Sequence, residues 1–133
     1  HKMCPVLTEH NLTITIEFEK GCPIDNYHDG LAFIQDTQLP VHLTCDTYHL
    51  FNDNADPYKS VLEMKDFLGD VHISGSHRGE PGTGEFDFSS FASGLKEINF
   101  NGPLVIQYQM EDIGSISRSC VFTQQLKEQI IAP

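Results

Sequence analysis

The side chains here that could do chemistry are four cysteines, seven histidines and nineteen carboxylates. Cys4, Cys22, Cys45 and Cys120 are widely spaced, and none lies in a C-x-x-C pair. A zinc ribbon or a redox dithiol therefore has no support. An even cysteine count in a small acidic chain points to two disulfides in a secreted protein. Four cysteines allow three pairings. The favoured one closes a hairpin-sized loop with Cys22–Cys45 and ties the ends with Cys4–Cys120, because long loops gain most from closure. Cysteines so committed cannot act as nucleophiles. His72 and His77, with Glu80 and Asp87 beyond, offer imidazole and carboxylate donors of the kind zinc accepts. Their spacing matches no ligand motif, so they are expected to be surface residues near a loop.

Other chemistry is excluded by particular positions. Asn52, Asn54, Asp56 and Glu63 follow the cadence of a calcium loop, but Pro57 occupies the position where glycine must turn. The glycine-rich run Gly75–Gly84 lacks the phosphate-loop lysine, and Glu80 and Glu85 would repel an anion. Gly75-Ser76-His77-Arg78-Gly79 places histidine where a nucleophile elbow needs serine. No carboxylate is singled out by an apolar setting that would raise its pKa. The expectation is a protein without catalysis, cofactor or metal.

The elements that would position these residues read as strands. Leu12, Ile14, Ile16 and Phe18 alternate with Thr13, Thr15 and Glu17 over a half-buried strand. Asp29-Gly30 marks a turn before the apolar run Leu31–Ile34. Val41, Leu43 and Cys45 share a face, and Val71-His72-Ile73 forms another strand. Ser60–Glu63 fits a capping box and Gly69 a stop, giving one short helix. Leu104–Met110, a turn at Asp112–Ser115, and Arg118–Leu126 read as a C-terminal hairpin. The fold predicted is all-β, an antiparallel sandwich or barrel with one short helix, tied by disulfides.

The 133 residues suit one domain over 1–133. The net charge of −11 argues against nucleic acid, which needs a basic footprint, and against an anionic membrane surface. No apolar run approaches the 18 residues of a membrane span. Asn11-Leu12-Thr13 is a glycosylation acceptor at Asn11. The chain starts at His1 rather than Met, as expected of a processed or truncated chain.

Two resemblances follow from these residues. Cys4-Pro5-Val6, Thr8-Glu9, the strand ending in Glu17-Phe18, Tyr27, Leu31-Ala32-Phe33 and Leu43-Thr44-Cys45 resemble the opening of the Alternaria major-allergen family of secreted fungal β-barrels. That resemblance implies an effector or elicitor acting on a host protein or small ligand. Gly94-Leu95, Ile98, Phe100, Gly102, Leu104–Met110 and Cys120 are similar to the lipid-recognition ML family. That similarity implies an apolar cavity between two sheets, lined by Phe18, Phe33, Phe88, Phe100, Tyr108 and Phe122. Both imply a secreted, non-catalytic binder. The favoured contact surface is the Ser74–Glu85 loop, with Ser76, His77, Arg78, Glu80 and Thr83, since binding residues favour loops.

Overall fold

The computed structural model describes residues 4–132, and in them helices alternate with strands. The order is α1 (Cys4–His10), β1 (Ile14–Glu17), α2 (Tyr27–Thr37), β2 (Val41–Asp46), α3 (Thr47–Asn52), α4 (Pro57–Met64), β3 (Leu68–Ile73), α5 (Phe88–Glu97), β4 (Leu104–Ile106) and α6 (Gly114–Ile131). The strands form one sheet in the order β1-β2-β3-β4, and every neighbouring pair is parallel. Parallel neighbours require a crossover, which the helices supply.

Local chemistry sets the helix ends. The Asn26 side chain accepts from Asp29 N–H and opens α2, and Gln38, in the left-handed region at φ 51°, closes it. Asp56 caps α4 through Lys59 N–H, with Pro57 in the first turn. Asp87 caps α5 through Ser90 N–H. A capping side chain satisfies a backbone donor that has no partner inside the helix.

The helices cover one face of the sheet. Leu43, Cys45, Val71 and Ile73 point into that layer and are completely buried, together with Phe91 and Leu95 of α5. Because strand side chains alternate, the opposite face carries Thr15 and Glu17, His42, Thr44 and Asp46, and Asp70 and His72. This face is polar, in contrast to the layer beneath the helices. Gly69 sits where it does because a Cβ there would come within 2.6 Å of Thr15 Cγ2 and 2.8 Å of His42 Cβ.

The all-β expectation is thereby corrected: the fold is α/β with a parallel sheet, and no second sheet packs on it among the described residues. Four strands stand within segments the sequence read as strands, around Ile14–Ile16, Val41–Cys45, Val71–Ile73 and Leu104–Ile106. The segments read as Leu31–Ile34 and Arg118–Leu126 strands are helical. In α6 the buried residues are Ser115, Ser119, Leu126 and Ile130. Their spacing follows the 3.6-residue period, which the short alternation of Cys120, Phe122, Gln124 and Leu126 obscured. The expected disulfides are corrected too: Cys22, Cys45 and Cys120 are free, with Cys45 buried in β2 and the other two exposed. The side chain of Cys4 lies outside the described residues.

Candidate active site

Three strands deliver one ionisable side chain each to the same end of the sheet. Glu17 is the last residue of β1, Asp46 the last of β2, and His72 the next to last of β3. The register places Asp46 directly beside His72, and Glu17 beside Thr44, two residues before Asp46. The His72 Nδ1 lies 3.3 Å from Glu17 Oε1 and 4.0 Å from Asp46 Oδ2. Asp46 is completely buried, and its Oδ1 accepts from Tyr48 N–H and His49 N–H at 2.8 and 3.3 Å. The carboxylate is thus fixed by the start of α3 while its other oxygen faces the cluster.

Beside this cluster stand Arg78 and His49. Arg78 Nη1 donates to Asp46 Oδ2, and Nη2 lies 2.9 Å from His49 Nε2. A guanidinium can only donate, so His49 presents a lone pair there. The Arg78 Cζ also sits 4.6 Å from the centroid of the Tyr48 ring. Gln107, one residue beyond β4, has its Oε1 3.5 Å from Arg78 Nη1. Arg78 reaches inward because its own backbone is left-handed, at φ 57°, and because its loop is stitched down. Gly75 N–H donates to Gly79 O, Arg78 N–H to Gly75 O, and Gln109 N–H to Arg78 O. Ser74 and Thr47 exchange two buried hydrogen bonds.

Electrostatics favour a shared proton or a cation. Burial, and next the neighbouring Asp46 charge, push the Glu17 carboxyl above its ordinary value of 4.5. Glu17 Oε1 and His72 Nδ1 are both buried without a hydrogen-bond partner. Unpaired polar atoms facing one point are costly unless a further group satisfies them. Glu17, Asp46 and His72 each offer one ligand atom, all within 4.8 Å of one another. Two carboxylate oxygens and one imidazole nitrogen suit a divalent cation such as manganese, cobalt or zinc. The residues therefore fit a metal ion.

The sequence placed its candidate residues differently. Of the expected contact loop, only Arg78 enters the cluster. Ser76 is buried and accepts from Glu85 N–H, while His77 is exposed beside Phe51. Glu80 pairs with Arg118 of α6, and Thr83 Oγ1 donates to Glu80 O. The six aromatic residues expected to line one cavity are dispersed. Phe18 is core, Phe33 is exposed on α2, and Phe88 packs on Phe122 between α5 and α6 at 4.9 Å. Phe100 and Tyr108 line separate surface pockets. Asn11 is exposed at the turn after α1. His72 belongs to the cluster, but with Glu17 and Asp46 as neighbours in place of the His77, Glu80 and Asp87 considered from the sequence. Glu17, Asp46, His49 and Gln107 were missed. The signal available was a chemistry-bearing residue at the carboxyl end of each strand.

Parallel strands returned by helices, with ionisable side chains gathered at the carboxyl ends of the strands, are the features of a βα-barrel unit, a fold whose sites lie on the C-terminal face. Residues 1–127 match the xylose isomerase-like TIM barrel family, and the chain belongs to it. It is 45% identical over 80 residues to the L-ribulose 3-epimerase of Methylomonas sp. (strain DH-1), covering 59% of this chain and 28% of that enzyme. It is 38% identical over 81 residues to the ketose 3-epimerase of Arthrobacter globiformis, covering 59% of this chain and 27% of that enzyme. The crystal structure of D-allulose 3-epimerase from Methylomonas sp. superposes with a TM-score of 0.82 at 28% identity, over 96% of this chain and 52% of that one. The chain thus spans about half the length of that solved enzyme, and its match takes in under a third of the curated ones.

These findings overturn the resemblance to the allergen and ML families. They also overturn the reading of a non-catalytic effector or lipid carrier, because the relatives are sugar epimerases. The expected partners, a host protein or an apolar ligand, are corrected likewise: D-allulose 3-epimerase was crystallised with D-allulose, a polar sugar.

Proposed function

We propose that this chain carries the acid–base and metal-binding part of a ketose 3-epimerase. The observation that supports it most is the Glu17, Asp46 and His72 cluster at the ends of three adjacent strands, in a unit that superposes on D-allulose 3-epimerase. Carbon 3 of a ketose is next to the carbonyl, so its proton is removable by a base. Returning a proton to the other face inverts the centre.

Glu17 suits the base. Without a cation its carboxyl is held above the ordinary carboxylate range by burial and the Asp46 charge; a bound cation would favour the ionised form, which is the one that takes up a proton. Glu17, Asp46 and His72 would hold the cation, which when bound polarises sugar oxygens and favours negative charge on them. Arg78 and His49 border the same space and suit hydrogen bonds to sugar hydroxyls. Arg78 adds a fixed positive charge beside the oxygens that become negative.

The test is exchange rather than full turnover. The purified chain with Mn2+ is incubated with D-allulose or L-ribulose in D2O, and the carbon-3 proton is followed by NMR. Deuterium is expected to replace it, and Glu17→Gln is expected to abolish the exchange. A folded, Mn2+-loaded protein that exchanges no carbon-3 proton from either ketose would overturn the proposal.

A further inference from the structure

We infer that Asp70 is a positioning residue for His72, holding the imidazole so that Nδ1 faces Glu17 and Asp46 as a free lone pair. The inference rests on the site proposed above and concerns this chain's own side chains.

Asp70 and His72 are two residues apart on β3, so they leave the strand on the same face. The register puts Asp70 beside Thr44 and His72 beside Asp46, which sets Asp70 one step below the cluster. The His72 ring lies between carboxylates. Its Nδ1 is 3.3 Å from Glu17 Oε1 and 4.0 Å from Asp46 Oδ2, and its Nε2 is 3.4 Å from Asp70 Oδ2. Neutral imidazole carries one N–H, and an ionised carboxylate only accepts. Turning the N–H toward Asp70 pairs donor with acceptor and leaves Nδ1 free for a cation. The other tautomer would set a lone pair against the Asp70 carboxylate and aim an N–H at the cation position. Metal-bound histidines commonly donate their second N–H to a carboxylate in this way.

Asp70 Oδ2 is the oxygen nearest the ring, and Asp70 Oδ1 is buried without a hydrogen-bond partner. His72 Nδ1 is likewise buried and unpartnered.

The experiment has two readouts. In metal-free protein labelled with 15N-histidine, the ring nitrogens of His72 report the tautomer, with the signal assigned by its loss in His72→Asn. Mn2+ affinity is then measured by calorimetry. The wild type is expected to carry the proton on Nε2. Asp70→Ala is expected to mix the tautomers and weaken Mn2+ binding by roughly 10–100-fold. Asp70→Asn, which keeps an acceptor oxygen, is expected to retain the tautomer and recover part of the affinity, and it carries the test should the alanine variant not fold. A merely structural role would change the melting temperature without moving the tautomer. A proton on Nδ1 in the wild type, or a tautomer and a Mn2+ affinity unchanged in Asp70→Ala, overturns the inference. A wild type that binds no Mn2+, while its Nε2–H tautomer is lost in Asp70→Ala, sinks the metal reading and upholds the positioning role.

Discussion

Asp46 joins the site to the fold. It is completely buried, it caps α3, and it pairs with Arg78. Removing one partner of a buried ion pair leaves an uncompensated charge, which typically costs about 3–5 kcal/mol. Arg78→Ala is therefore expected to destabilise the metal-free protein by roughly 3 kcal/mol, the lower end of that range because Arg78 keeps some solvent contact. Urea unfolding measures this, and Mn2+ should recover part of the loss by taking over the Asp46 charge. A second expectation concerns Glu17. Burial and the Asp46 charge raise its folded pKa, so its contribution to stability is present below pH 4.5 and is lost as pH rises through the raised value. A cation needs the ionised carboxylate and reverses that loss. The gain in melting temperature on adding Mn2+ should grow as pH rises from about 4.5; a gain independent of pH would contradict the assignment. Away from the site, burial and the Glu63 carboxylate push the Tyr27 phenol up to about 12. Its contribution is held below the ordinary value of 10 and lost as pH climbs toward about 12. Ultraviolet titration should show one tyrosine ionising late.

At the scale of elements, the strands aim the site residues and the caps hold the crossovers. The Asp87 carboxylate accepts from Ser90 N–H at 3.0 Å and from Ser90 Oγ at 2.6 Å, and these bonds hold its pKa below the ordinary value. Asp87→Ala should lower stability by about 1 kcal/mol, the usual worth of an N-cap, with Asp87→Asn close to the wild type. Denaturant melts of the two variants decide this. The glycine-rich stretch is an element in its own right. Gly84 is at φ +80° and its missing Cβ leaves space for Ser76 Oγ, which accepts from Glu85 N–H. The loop that the sequence suggested as a contact surface is a backbone-bonded arm that carries Arg78 to Asp46.

For the whole molecule, the sheet is open. Among the described residues β1 and β4 each pair on one side only. Unpaired strand edges invite further pairing. The 133-residue polypeptide alone is expected to self-associate through these edges, and sedimentation at rising concentration measures it. A strict monomer at high concentration would contradict that expectation. With an acidic surface of net charge −11, association should strengthen as salt screens the repulsion.

By itself the sequence determined the local pieces. The alternation of Leu12–Phe18 marks a strand whatever its neighbours, since period two follows from the pleat. Val41–Cys45 and Val71–Ile73 declare themselves in the same way, and the −11 charge argues against a nucleic-acid footprint. Parallel against antiparallel pairing was decided only in three dimensions, because the helical returns at Tyr27–Thr37 and Gly114–Ile131 carry short apolar runs that also fit strands. The site was decided there too. Glu17, Asp46 and His72 are 29 and 26 residues apart in the chain. Only the parallel register brings their donor atoms within 4.8 Å, and no spacing rule reaches that far. Along the chain Glu17 is one polar residue of an alternating strand. Next to Asp46 and out of water, it becomes a carboxyl with a raised pKa.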